Sequence, residues 1–351
     1  MWMPYSLRSA LRPLAGRLLW PLGARLAAAE ARGGQGLILM FHHVGAPILP
    51  GAEDYLFLSP AGLGRILDFV ARELRPLPPL AFLARLAEGS LPPRAALLTF
   101  DDGTCDQVVT AAAEFVQRGL QACFFVCPGL IESGASAPSL ELATLCQHAA
   151  VGRAVLTLDG GPDRSASGPI ELDVTDQHSR VRAFWTLLPI VMRTPSRQHP
   201  ALLASLRTAL RVGPGIRCPY RPAAWQELAA LAAAGMVIGN HTLYHSTVAA
   251  DGVQQFASDA AAAFDALESR SLWPPAAGRQ TPRVFAYPYG RPADANPATT
   301  QALEQLGVKY AFVVQGGLAR PRRTGLLNLH REAAALDAQA VKLAAMLACL
   351  R

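Results

Sequence analysis

Apolar residues in this chain collect into short runs, and most of those runs stop at polar or charged residues. Leu37 to Phe41 stops at His42-His43, and Ala95 to Phe100 stops at Asp101-Asp102-Gly103. Ala122 to Val126 stops at Cys127-Pro128-Gly129, and Met236 to Gly239 leads into Asn240-His241-Thr242-Leu243-Tyr244-His245. Arg283 to Tyr287 ends in Pro288-Tyr289-Gly290, and two further runs cover Tyr310 to Val314 and Leu326 to His330. Unbroken apolar runs of this length predict strands covered on both faces, as in a parallel sheet. Between them the apolar positions recur at helical spacing. Ser59 is the predicted cap and Pro60 the first residue of a helix through Leu63, Ile66, Leu67, Val70 and Leu74. Helices are also expected over Leu80 to Glu88, Asp106 to Arg118 with Gly119 as its stop, Pro222 to Ala234, Gln254 to Glu268, Thr299 to Leu306, and at the C-terminal end. Strand, helix, strand alternation implies right-handed parallel crossovers.

The alternation lapses between about residues 131 and 215. Ala154 to Leu158 and Ile170 to Val174 read as a hairpin with a long turn-rich tip, followed by helices through Trp185 and Leu202. This segment is expected to be an insertion in one barrel, as a lid or substrate-contacting piece, with residues 35–351 forming that barrel. Residues 1–34 carry Arg8, Arg12, Arg17 and Arg25 among Leu, Ala and Trp. They read as a basic amphipathic leader suited to peripheral contact with an anionic membrane surface, or as a plain solvated helix, with Pro13 and Pro21 interrupting either. Nothing in the leader is long and apolar enough to span a bilayer, nor does it show a cleavable signal pattern.

Composition narrows the class without naming a chemistry. Among 351 residues, 51% are hydrophobic and 17% charged, enough for a large core. The net charge of +6 is spread along the chain rather than set in basic blocks, which argues against nucleic acid as a partner. Cys105, Cys123, Cys127, Cys146, Cys218 and Cys349 form no CxxC pair, so the chain leans to a reducing compartment, and a cytoplasmic or membrane-associated location is expected over a secreted one. Oligomeric state is not legible.

Chemistry concentrates at the polar ends of the strands. Asp101 and Asp102 at a strand end, with Gly103 to turn the chain, suit one carboxylate holding a metal and the other acting as a base. The commonplace alternative is a helix cap. His241 and His245, four apart, would share one side of a helical turn and could grip one divalent ion. The plainer reading of that spacing is a surface helix. His43, His148, His178 and His199 read as surface or hydrogen-bonded structural histidines. Trp225 and Tyr244 could stack on sugar rings, although lone aromatics are more often core.

Three ordered motifs carry a resemblance. Thr99-Phe100-Asp101-Asp102-Gly103, His241-Thr242-Leu243-Tyr244-His245 and Phe285-Ala286-Tyr287-Pro288-Tyr289-Gly290 resemble the first three motifs of the polysaccharide deacetylases with a NodB homology domain, carbohydrate esterase family 4. Leu39-Met40-Phe41-His42-His43-Val44 is similar to the opening strand of the exopolysaccharide branch, which includes enzymes acting on poly-N-acetylglucosamine. The resemblance implies an α/β fold, a distorted (β/α)7-type barrel, around a divalent metal, with zinc first and nickel or cobalt as alternatives. It implies Asp102, His241 and His245 as metal ligands, Asp101 as general base, the Tyr289 backbone N–H as oxyanion donor, and His42, with His330 second, as general acid. An N-acetylated glycan would be the substrate, with Tyr244, Trp225 and Arg291 as candidate contacts. An O-acetyl esterase, or a glycan-binding protein without catalysis, are the rival readings. One position departs from the pattern. The arginine that normally pairs with the base is Ala286 here, and Arg291 or Arg221 are the sequence candidates to replace it.

Overall fold

The computed structural model describes residues 35–150, 152–156, 169–272, 281–291, 293–320 and 325–334. The leader, the hairpin tip and the terminal helix expected from the sequence lie outside them. The strands in chain order are β1 (Leu37–Phe41), β2 (His43–Val44), β3 (Phe57–Leu58), β4 (Arg75–Pro76), β5 (Ala95–Phe100), β6 (Cys123–Val126), β7 (Arg153–Leu156), β8 (Ile170–Asp173), β9 (Val237–Asn240), β10 (Arg283–Ala286), β11 (Val308–Val313), β12 (Leu329–His330) and β13 (Glu332–Ala333).

The main sheet runs β12-β11-β10-β9-β6-β5-β1-β13, parallel at each pairing, with β4 added beside β5. β12 and β13 are one short stretch of chain interrupted at Arg331. β12 pairs with β11 (Val313 beside His330) and β13 with β1 (Leu39 beside Glu332), so residues 329–333 bridge the two edges and close a barrel of seven staves. All residues of β1 and β5 are buried, as strands covered from both sides must be.

Inside the barrel, Ile38, Leu97, Phe125 and Phe312 form one cluster with the helix Pro79–Glu88, whose Phe82 lies against Gly36 and plugs the mouth where the strands begin. Outside, Leu39, Phe41, Leu98 and Phe124 meet the helices Pro60–Glu73, Ala112–Gln117 and Trp225–Ala233. The predicted Ser59 cap is present, its hydroxyl accepting from Gly62 N at 3.0 Å. Helix Val248–Glu268 starts earlier than expected because two helical pieces meet across Gly252, at φ 74°.

Between β6 and β9 the chain builds a further cluster of its own. The antiparallel pair β7–β8 and the helices Pro138–Gln147, Gln177–Arg193 and His199–Ala209 pack around Leu140, Phe184 and Leu206. The hairpin and helices expected in the insertion are therefore there. Ile48, Leu49 and Phe57, from the loop after β2, belong to the same cluster and tie it to the barrel rim. No helix of the described residues is long and apolar enough to cross a membrane.

Candidate active site

Every stave in a parallel barrel points its C-terminal end the same way, so residues just past β1, β5, β9 and β10 share one mouth. Seven non-glycine residues among those described have a positive φ, and four stand here: Asp102 at 78°, Thr242 at 65°, His245 at 59° and Tyr289 at 57°. Such strain persists only where surrounding structure enforces it, and it clusters where side chains must be aimed. Gly103, at φ 67°, completes the turn after β5, and a Cβ there would sit 2.6 Å from Val126 Cγ1.

That turn separates the two aspartates. Asp102 Oδ1 lies 3.5 Å from His241 Nε2 and 3.3 Å from His245 Nε2, and the three form the metal-capable group found among the described residues. The two imidazoles do not share a helical turn, as their spacing predicts. They converge from an irregular loop bent at Thr242 and His245, with ring centres 5.0 Å apart. Hydrogen bonds hold that loop. Asn240 Oδ1 accepts from Thr242 N at 2.7 Å, Thr242 Oγ1 from Ser246 N at 2.8 Å, and Ser246 Oγ donates to Asp259 at 2.8 Å.

The donor set fits a cation on chemical grounds. The carbonyl of Ala286 lies 2.7 Å from His241 Nδ1 and can only accept, so that nitrogen carries the hydrogen. A neutral His241 then turns its Nε2 lone pair toward a carboxylate oxygen, a repulsive arrangement unless a proton or metal lies between. Burial opposes the charge on Asp102, yet contacts from His241, His245 and His43 outweigh it and hold the carboxyl well below its ordinary value. Burial lowers His245, while the bond toward Asp102 raises His241 against its own burial.

Asp101 faces the barrel interior and is 2% exposed. Neither sequence candidate for its arginine reaches it. Arg221 pairs with Glu227 at 2.7 Å and Arg291 with Asp294 at 3.3 Å. Arg331 takes the place instead, with two nitrogens 2.7 and 2.6 Å from the two carboxylate oxygens and a third contact to Thr99 Oγ1 at 3.2 Å. Burial works against the charge on Asp101, but Arg331 and then His241 keep its pKa below the ordinary value. Leu327, Leu329 and Arg331 are buried in turn while Asn328 and His330 are half-buried.

His330 is thereby turned the other way. Its ring neighbours are the backbone at Gly316 and Gly317, not the aspartates, so it is no part of this cluster. His42 stands at the mouth, where burial pushes its imidazole down to about 4 against the pull of Asp102 and Asp101. His43, expected as a surface or hydrogen-bonded histidine, is of the second kind. It is 1% exposed, with Nε2 3.4 Å from Asp102 Oδ2, Nδ1 3.1 Å from Thr104 Oγ1, and its ring between Phe57 and Tyr220. Its Nε2 thus faces the oxygen of Asp102 that the other histidines leave open. His148 and His178 are exposed and His199 is bonded to the carbonyl of Val191, as expected.

The aromatic candidates part company. Tyr289 sets its ring 4.6 Å from that of His245. Tyr244 packs against Gly129 and the inserted cluster, and Trp225 donates to Glu132 at 3.0 Å beneath Arg270.

A family model described as polysaccharide deacetylase matches residues 88–311. Among solved structures, the chain is similar to the deacetylase PplD of Streptococcus pyogenes in complex with acetate, at 17% identity and TM-score 0.52, over 85% of this chain and 92% of that one. It is also similar to IcaB from Ammonifex degensii, at 18% identity and TM-score 0.50, over 90% of this chain and 98% of that one. At such identities the likeness is one of fold. No curated protein matches the chain.

Proposed function

Because the chain belongs to the polysaccharide deacetylase family, we propose that it removes acetyl groups by hydrolysis from N-acetylated sugars of a glycan, using a divalent ion, zinc first, held by Asp102, His241 and His245. The observation that carries this reading is the division of labour between two adjacent carboxylates. Asp102 faces two imidazoles, and Asp101 faces a buried guanidinium. One is placed to hold a cation and the other to stay ionised beside it.

A divalent ion bound there would supply Lewis acidity, polarising the acetyl carbonyl and lowering the pKa of a nearby water. The chain supplies the rest. Asp101, kept anionic by Arg331, takes a proton from the attacking water as the new C–O bond forms. The backbone N–H of Tyr289 donates to the oxyanion of the tetrahedral intermediate. As the C–N bond breaks, His42 passes a proton to the leaving nitrogen. His42 is neutral above about pH 4, so the proton it passes is the one Asp101 took from the water, which leaves Asp101 ionised again.

The test is acetate release from N-acetylglucosamine oligomers by protein loaded with zinc, nickel or cobalt. Asp101→Asn should lower kcat by about 100-fold or more, the scale of lost general-base catalysis. A metal-loaded wild type no faster than Asp101→Asn overturns the reading.

A further inference from the structure

Large apolar side chains left singly at a surface are ordinary and require no explanation. Trp185 is not of that kind. It is 45% exposed, and it is the aromatic one among the exposed large hydrophobics of the described residues. Its neighbour in helix Gln177–Arg193, Phe184, points into the inserted core and sets its ring edge-on to Trp185 at 5.3 Å. The exposed indole is therefore braced. Tyr55 lies nearly parallel to it, at 24° with ring centres 6.3 Å apart.

Tyr55 connects that pair to the active site. It sits on the loop that leaves the barrel at His42-His43 and returns as β3, and Gln177 Nε2 donates to Pro50 O at 2.8 Å to fasten this loop to the helix bearing Trp185. Two residues on from Tyr55, Phe57 sets its ring 4.9 Å from that of His43, whose Nε2 lies 3.4 Å from Asp102 Oδ2. The loop that carries Tyr55 therefore runs from the metal-capable cluster out to Trp185, which opens to solvent.

We propose that Tyr55 and Trp185 form a sugar-stacking platform, taking a pyranose ring of the same glycan that neighbours the ring being deacetylated. Pyranoses present flat C–H faces edged by hydroxyls, and amphipathic aromatic rings offer the matching apolar face with a polar rim. Rigid aromatic residues also supply contact area with little rotamer entropy to lose. The platform rests on the deacetylase reading, and it places chain-length preference on residues outside the motifs that the resemblance rests on.

The experiment compares acetate release from N-acetylglucosamine monomer and pentamer by metal-loaded wild type, Trp185→Ala, Tyr55→Ala and Trp185→Phe. The wild type should show a higher kcat/KM on pentamer than on monomer. Both alanine variants should lower that ratio about 2- to 12-fold, the scale of an aromatic contact, and Trp185→Phe should keep most of it. An unchanged ratio in Trp185→Ala overturns the platform. If the wild type is inert at every length, the deacetylase reading fails instead. Calorimetric titration with pentamer then decides the platform, and equal affinity in wild type and Trp185→Ala removes it.

Discussion

Arg331 and Asp101 form a bidentate pair from which water is excluded, the arginine being 0% exposed. Breaking a buried pair from one side strands a charge and costs about 3–5 kcal/mol, while replacing both partners can be nearly neutral. Arg331→Met should therefore lower stability by about 3–5 kcal/mol in urea unfolding. Asp101→Asn combined with Arg331→Met should recover most of that loss and remain inactive, which separates the pair's structural burden from its chemistry. The sequence offers Arg291 and Arg221 for the arginine missing at Ala286, and neither reaches Asp101. The replacement comes from a stave 230 residues away, and no local spacing encodes such a distance.

At the scale of elements, the loop from β2 to β3 joins barrel to insertion and buries Glu53 completely. One oxygen of Glu53 accepts from Ile48 N at 3.1 Å, and the other has no partner. Burial pushes its pKa up to about 7, against the pull of the Ile48 amide and His43. Between 4.5 and about 7 the folded protein holds a proton that the unfolded chain has released, so stability falls as pH rises through that window. Glu53→Gln should raise the melting temperature at pH 8, by up to about 3 kcal/mol of stability, and do little at pH 4.5. Parallel thermal scans of the two proteins at both pH values check it. Helices were legible at this scale from their period, and the barrel strands from unbroken apolar runs. The His241–His245 loop was not, since left-handed residues at Thr242 and His245 replace the helical turn that the four-residue spacing predicts.

The whole molecule couples the metal-capable cluster to the fold, because Asp102, His241 and His245 arrive from two staves and His43 from the rim of a third. An ion that binds only the folded form stabilises it, by about 2.7 kcal/mol at one hundred times its dissociation constant. Zinc should raise the melting temperature and a chelator reverse the gain. In His43→Ala the same rise should need about 10- to 100-fold more zinc, the usual cost of removing a residue that orients a ligand. A parallel barrel was legible from the alternation of strands and helices, and its seven staves from the resemblance that the motifs carry. How it closes was not, because the closing stretch is only residues 329–333, too short for a periodic signal.

That closing stretch also sets an order of events during synthesis. At roughly 5–20 residues per second, translation of the 230 residues between Asp101 and Arg331 takes on the order of 10 to 50 s. Throughout that interval the growing chain holds Asp101 without its counter-ion, and a lone carboxylate resists burial. The interior of the barrel therefore has no stable dry form until the last stave arrives. Arg331, which pairs with Asp101, arrives with that closing stretch, so a nascent fragment ending before it should have neither a closed barrel nor turnover.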